Sequence, residues 1–395
     1  MERKVIITKW HQKIITSVLE ADEIVELHCS REVSADDFCH ALGNIYVGRV
    51  KNIVPNIGAA FVEIAPGVEC YYPIGQNQTP VFTHKIGKKP LCIGDELLVQ
   101  ISREASKTKA PTVTSKIEFT GRYVVLSVGN TRVGASLKLD KALREHLKSL
   151  LHPYANEQYG MVARTNAGSV SDEVIIKEAE ALAAECEMLL SHARNRTCFS
   201  CLKKAPKAYI TDLQNIYGDG LTEIKVEDSD IYEELKQYLQ NEQPQNLDKL
   251  HFYNEAAFPL AKLYNLDKTM ERALKERVWL GCGGYLVIQP TEALTVIDVN
   301  SGKYVAKKKE NESYLKINIE AAKEAAKQIR LRNLSGIILI DFINLNQEED
   351  TNKLLGLLRE YLSHDPIQTT LVDVTKLQLV EITRKKVRKM LYETV

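Results

Sequence analysis

At 395 residues, with 52 basic and 52 acidic side chains, the chain carries no formal net charge. That excludes a histone-like polycation, although a local basic track would still serve a nucleic acid, because affinity follows the local field. The length exceeds a single hydrophobic core and predicts a multidomain α+β/α/β protein, and no apolar run is long enough for a membrane helix.

Short strands are predicted over residues 4–8 and 23–28. From Gly43 the pattern tightens. Runs over 43–54, 56–64, 69–73, 94–101 and 112–117 alternate apolar and polar residues between glycines and prolines, which predicts a small barrel. Phe61 and Tyr71 fall at or near strand ends, where such a barrel can offer ring faces to bases. Packing into the core is the plainer role for Phe61. Arg103 and Lys107-Thr-Lys109 follow the last long strand, within reach of phosphates.

A different unit follows. Residues 121–127 read as a strand, 139–150 as a helix and 159–165 as a strand closing on Arg164 and Thr165. Ser171 is a candidate cap for a helix running to about Arg194. A guanidinium fork beside a hydroxyl, followed by Asn166-Ala-Gly168, suits a small oxyanion pocket. A surface arginine is the simpler reading. Strands are then predicted over 208–210 and 221–226, a helix over 231–239, a loop over 241–246 and a helix over 263–278.

The eight cysteines are irregularly spaced and read as free thiols of a reducing cytoplasm. Cys198-Phe-Ser-Cys201 has no second pair, so two ordinary residues are favoured over half a zinc site or a redox pair. Basic clusters at 85–89, 303–309 and 384–389 read as solvated faces first and phosphate contacts second.

The most informative stretch is 283–345. Runs over 284–298, turning at 290–292, and over 336–341 each close on an acid, Asp298 and Asp341, with a helix predicted over 317–331 between them. Strand, helix, strand brings distant strand ends to one sheet edge. Buried strands have no use for unpaired carboxylates. Asn300 faces the same side as Asp298 and can orient a ligand, a water or that carboxylate. Hard oxygens suit Mg²⁺, which keeps waters and binds phosphates through one or two carboxylates. Turn or cap roles are the rival explanation for the aspartates. A helix over 348–363, a strand over 370–374 and a basic amphipathic tail over 379–392 complete the chain.

These motifs resemble the ribonuclease E/G family. The resemblance rests on Thr291-Glu-Ala-Leu-Thr-Val-Ile-Asp-Val-Asn-Ser-Gly302, Gly336-Ile-Ile-Leu-Ile-Asp-Phe-Ile-Asn344, Ala59-Ala-Phe61-Val-Glu63 and Val162-Ala-Arg164-Thr-Asn-Ala-Gly168. It runs in one order over nearly the whole chain. It implies an RNase H-like domain (1–40 and 205–275) with an inserted S1 (OB-fold) RNA-binding barrel (41–118) and a 5′-sensor region (119–204). A DNase I-like catalytic domain (276–395) follows. It further implies that Asp298 and Asp341 bind a catalytic Mg²⁺, that Asn300 helps hold them, and that metal-activated water cuts single-stranded RNA to leave a 5′-phosphate. Phe61 and Tyr71, the latter a phenylalanine in well-known members, would line the RNA surface, with Lys109 joining in substrate binding. Val125, Arg164 and Thr165 would receive a 5′-monophosphate.

Two departures modify this expectation. The family's zinc-sharing cysteine pair and small dimerising domain do not follow before Val395, which predicts a monomer or a dimer without a zinc link. The arginine that completes the 5′ pocket falls, by equal spacing, near Gln368, which predicts weaker dependence on a 5′-monophosphate. The expected protein is a cytoplasmic Mg²⁺-dependent endoribonuclease of ribosomal RNA processing or messenger decay. The alternatives are a non-catalytic RNA-binding protein and a nuclease acting on DNA.

Overall fold

The chain opens as a meander, β1 (Arg3–Trp10), β2 (Lys13–Glu20) and β3 (Glu23–Arg31). Its two turns, His11-Gln12 and Ala21-Asp22, hold all four residues at positive φ, the geometry whose twist matches a two-residue hairpin. Neither turn carries the Gly or Asn that usually announces it, so β2 escapes the sequence reading. The computed structural model describes residues 2–31, 41–75, 79–105, 110–216, 220–302 and 310–395. The chain divides into two units: Met1–Glu32, Ala208–Asp212 and Gly220–Val395 form one, and Val33–Lys207 and Leu213–Asp219 the other.

In the second unit, β4 (Ile45–Val54), β5 (Ala59–Ala65), β6 (Val68–Pro73), β7 (Phe82–His84), β8 (Glu96–Arg103) and β9 (Thr112–Thr114) build the expected barrel. Five strands run β4-β5-β6-β9-β8, and β8 returns to pair with β4, closing the circle. Val62, Ile64, Leu97, Val99, Ile101 and Val113 fill it. Next come β10 (Glu118–Thr120), β11 (Val124–Val128), β12 (Gly134–Ala135) and β13 (Tyr159–Ala163), in the order β10-β11-β13-β12. Two helices cover this sheet, α1 (Lys141–Leu151) and α2 (Asp172–Ala193), through Leu147, Leu151, Ile175, Ala179 and Leu182. The Asp140 side chain caps α1 by accepting the Leu143 N–H. Ser171 stands at the N-cap of α2 but makes no side-chain cap bond. A short β14 (Cys201–Lys203) adds to β4.

Residues 208–210, expected as a strand, instead open α3 (Ala208–Asn215). Tyr209 and Leu213, four apart, are both buried. A three-residue window cannot reveal that period.

In the first unit, β15 (Leu221–Val226) lies parallel to β1, and β16 (Leu250–Phe252) extends the sheet to β16-β15-β1-β2-β3. Between them runs α4 (Ser229–Glu242), capped by Asp228. The single helix expected over 263–278 is interrupted at Asn265, which takes a left-handed φ of 50°. The result is α5 (Leu260–Leu263), α6 (Leu266–Leu274) and a strand, β17 (Arg277–Trp279).

The acid-bearing layer follows: β18 (Tyr285–Pro290), β19 (Leu294–Asn300), α7 (Glu310–Leu331), β20 (Gly336–Asp341), α8 (Glu348–Ser363), β21 (Thr369–Val374), β22 (Leu379–Arg384) and a terminal turn of helix, α9 (Leu391–Thr394). Its six strands run β17-β18-β19-β20-β22-β21. The first half of the expected amphipathic tail is therefore a strand, with Val380, Ile382 and Arg384 inward. Leu286, Ile288, Ile297, Val299, Ile338 and Ile340 meet Ile317, Ala321 and Ala325 of α7 and Leu354 and Leu358 of α8. Both helices cover this one face. Among the described residues, no helix is long and apolar enough to cross a membrane.

Candidate active site

Along β19 the inward residues are Thr295, Ile297 and Val299, so alternation turns Asp298 and Asn300 to the face that α7 and α8 leave uncovered. Along β20, Ile338 and Ile340 point inward and Asp341 is exposed. The two strands are parallel and their register pairs Asp298 with Asp341. Side-by-side residues on parallel strands have backbones about 4.8 Å apart with side chains on one face. Residues 43 apart in sequence are thus neighbours at the carboxyl ends of two strands, the usual ligand edge of such layers. The strand also runs two residues past Asp298, which places Asn300 in regular geometry, and its Nδ2 donates to Asp298 Oδ2 at 2.7 Å.

Two residues past Asn300 the backbone packs closely. Gly302 has a φ of +61°, and a Cβ there would collide with the carbonyl of Gly283. The turn that contains Gly283 is gripped by Glu320 of α7, whose carboxylate accepts the N–H groups of Gly281 and Cys282. Two carboxylates and an orienting amide fit an ion that satisfies the rest of its shell with water and substrate oxygens, as Mg²⁺ does. Among the described residues no cluster of three or more His, Cys, Asp or Glu is assembled, so a closed zinc site has no donor set there.

In the second unit, Phe61 and Tyr71 are cross-strand partners on β5 and β6. Their rings meet edge to face, 6.3 Å apart, and both are partly buried, outside the cluster that fills the barrel. Arg49 and Lys51 flank them, each joined to a carboxylate: Arg49 to Glu96 at 2.8 Å and Lys51 to Glu63 at 3.1 Å. Lys109 lies outside the described residues, as does the basic run 303–309.

Arg164 is tied to the 121–123 segment, whereas Thr165 bonds elsewhere. The Arg164 guanidinium donates to the Gly121 carbonyl at 2.7 Å and to Asn215 Oδ1 at 2.6 Å, while its backbone N–H donates to the Tyr123 carbonyl. Thr165 Oγ1 is 2.7 Å from Ser136 Oγ. Val125 sits in β11, opposite Val162 of β13. Beneath this segment the Glu178 carboxylate accepts the N–H groups of Arg122, Tyr123 and Val124 at 2.7–2.8 Å. Burial pushes its carboxyl up, although those three donors and Arg164 pull it the other way. Ser136, Glu178 and Asn215 carry no local sequence signal, since their partners lie 29 to 56 residues away. Gln368 belongs to the other unit, where its carbonyl accepts the Lys385 N–H.

Other sequence candidates resolve into structural roles. Cys198 and Cys201 are free thiols. Burial raises the Cys198 thiol to about 11, an unreactive value. Within the basic cluster 384–389, Arg384 is buried against Asp365 and Arg388 is paired with Asp212, so these two are structural cations rather than a solvated face.

The profile of the ribonuclease E/G family matches residues 118–387. A ribonuclease E of Nostoc is 33% identical over the whole chain, which spans 57% of that relative's length. Ribonuclease G of Haemophilus influenzae is 31% identical over 95% of the chain and 78% of its own length, and that of Escherichia coli K12 is 32% identical over 92% and 76%.

Proposed function

The chain belongs to the ribonuclease E/G family, and from that premise we propose that it is an endoribonuclease that hydrolyses phosphodiesters of single-stranded RNA with the help of Mg²⁺ and leaves a 5′-phosphate. The observation that carries this reading is the register pairing of Asp298 with Asp341, with Asn300 bonded to the first. Asp298 and Asp341 hold the ion. Asn300 occupies one oxygen of Asp298, which fixes the carboxylate's rotation and leaves its other oxygen as the ligand. Mg²⁺, when bound, activates water at neutral pH and offsets charge on the transferred oxygens. Phe61 and Tyr71 stack unpaired bases, and Lys109 adds a phosphate contact. Val125, Arg164 and Thr165 receive a 5′-monophosphate, with the guanidinium as its fork. Ribosomal RNA processing and messenger decay in the cytoplasm are the settings that suit such an enzyme.

The test compares wild type with D298N and D341N on a fluorogenic single-stranded oligoribonucleotide across a Mg²⁺ titration, with affinity read separately by anisotropy. Each variant is expected to lose cleavage by a factor on the order of 10²–10³ or more while still binding RNA. The deoxyribose oligonucleotide of the same sequence should stay uncut. Wild-type turnover by purified D298N would overturn the assignment.

A further inference from the structure

Beyond Asp341 the chain leaves the sheet, and residues 342–345 belong to no strand. The backbone of Ile343, two residues past the acid, therefore lacks a ladder to satisfy it. Asn318 of α7 supplies one. Its Nδ2 donates to the Ile343 carbonyl at 2.7 Å, and its Oδ1 accepts the Ile343 N–H at 3.1 Å. The side chain is fully buried, with Ile317, Ala321 and Ala322 beside it on α7. An amide taken out of water costs free energy unless both of its ends are paired. Here one residue's N–H and C=O pair both ends, so the side chain imitates the peptide of a neighbouring strand. Asparagine is also a mediocre helix former, so helix propensity does not account for it.

We infer that Asn318 is a positioning residue for the metal-binding pair: by clamping the exit of β20 from the helix that joins the two acid-bearing strands, it holds the Asp341 carboxylate beside Asp298. This rests on the reading of Asp298 and Asp341 as the metal holders. With N318A the exit peptide loses both bonds. With N318D one carboxylate oxygen faces the Ile343 carbonyl and repels it.

The experiment measures Mn²⁺ binding to the full chain by electron paramagnetic resonance, without RNA, for wild type, N318A, N318D, D298N and D341N. RNA affinity without metal and thermal unfolding are followed in parallel. Weakening of Mn²⁺ binding on the order of tenfold in N318A and N318D, with RNA affinity retained, is the expected result. Wild-type Mn²⁺ affinity in a folded N318A or N318D overturns the inference. Equal Mn²⁺ binding by D298N, D341N and wild type would instead remove the metal pair itself, and the inference with it. Should both Asn318 variants fail to fold, amide exchange on the wild type decides. A slow Ile343 amide that slows further with Mn²⁺ supports the clamp, and a fast amide unaffected by Mn²⁺ refutes it.

Discussion

Asp212, His28 and Glu26 form a buried chain of charge in the first unit. His28 Nδ1 lies 3.1 Å from Asp212 Oδ1 and its Nε2 3.3 Å from Glu26 Oε2, while Arg388 pairs with Asp212 and Arg330 with Glu26. Burial alone would raise Glu26, but His28 and Arg330 outweigh it and hold the carboxyl at about 2. Burial and Arg388 both push His28 down, yet Asp212 and Glu26 carry it above its ordinary 6.5. A histidine raised on folding contributes stability that is complete below 6.5 and lost as pH climbs through its folded value. The carboxylate contributes in the opposite sense, fully above its ordinary 4.5 and lost as pH falls toward 2. Thermal midpoints should therefore decline on the alkaline side of 6.5 in wild type. In H28Q the profile should be flatter over that range, and parallel profiles would remove His28 from the account. Gly121 offers a second residue-scale test. A Cβ there would stand 2.5 Å from Glu178 Cδ, so G121A must displace either the turn whose carbonyl seats Arg164 or the carboxylate that accepts the N–H groups of that turn. If that arginine reads the RNA end, the ratio of cleavage rates for 5′-monophosphate over 5′-hydroxyl substrates should fall on the order of tenfold. An unchanged ratio in G121A would detach the turn from end recognition.

Elements were legible where one period dominates. The barrel strands alternate between Gly and Pro punctuation, and β19 and β20 are apolar runs closing on acids, so both were readable from residues alone. What escaped was set by distant partners. β22 hides behind its basic flank, and only its pairing with β20 turns Val380, Ile382 and Arg384 inward. The site divides in the same way. Asp298, Asn300 and Asp341 lie in the motif, whereas Glu178 and Glu320 reach their backbone partners from other helices and could not be read from spacing. Arg384 shows what such hidden contacts contribute. Its Nε meets Asp365 at 2.6 Å with both side chains buried, and its Nη1 donates to Asn333 Oδ1 at 2.6 Å. Removing one partner strands a buried charge, so D365A should cost about 3–5 kcal/mol in urea unfolding. A midpoint unmoved from wild type would show that water already screens the pair.

At the scale of the whole molecule, equal numbers of acids and bases leave no monopole to draw RNA from a distance. Around the Phe61–Tyr71 patch, moreover, Arg49 and Lys51 already face Glu96 and Glu63. Affinity at that patch should then come more from stacking than from counterion release. The two differ in their response to salt: each neutralised phosphate of a single strand adds about −0.7 to the slope of log affinity against log salt, whereas a stacked base adds none. Stacking on an aromatic ring is worth about 1–3 kcal/mol per base. In a D341N background that binds without cutting, F61A should lower affinity by that amount at every salt concentration and leave the slope where it was. K51A should do the reverse, flattening the slope by about 0.7 if Lys51 leaves Glu63 for a phosphate, and not at all if the pair stays closed. Unchanged affinity at every salt concentration in F61A would mean that RNA passes this barrel face without using its rings.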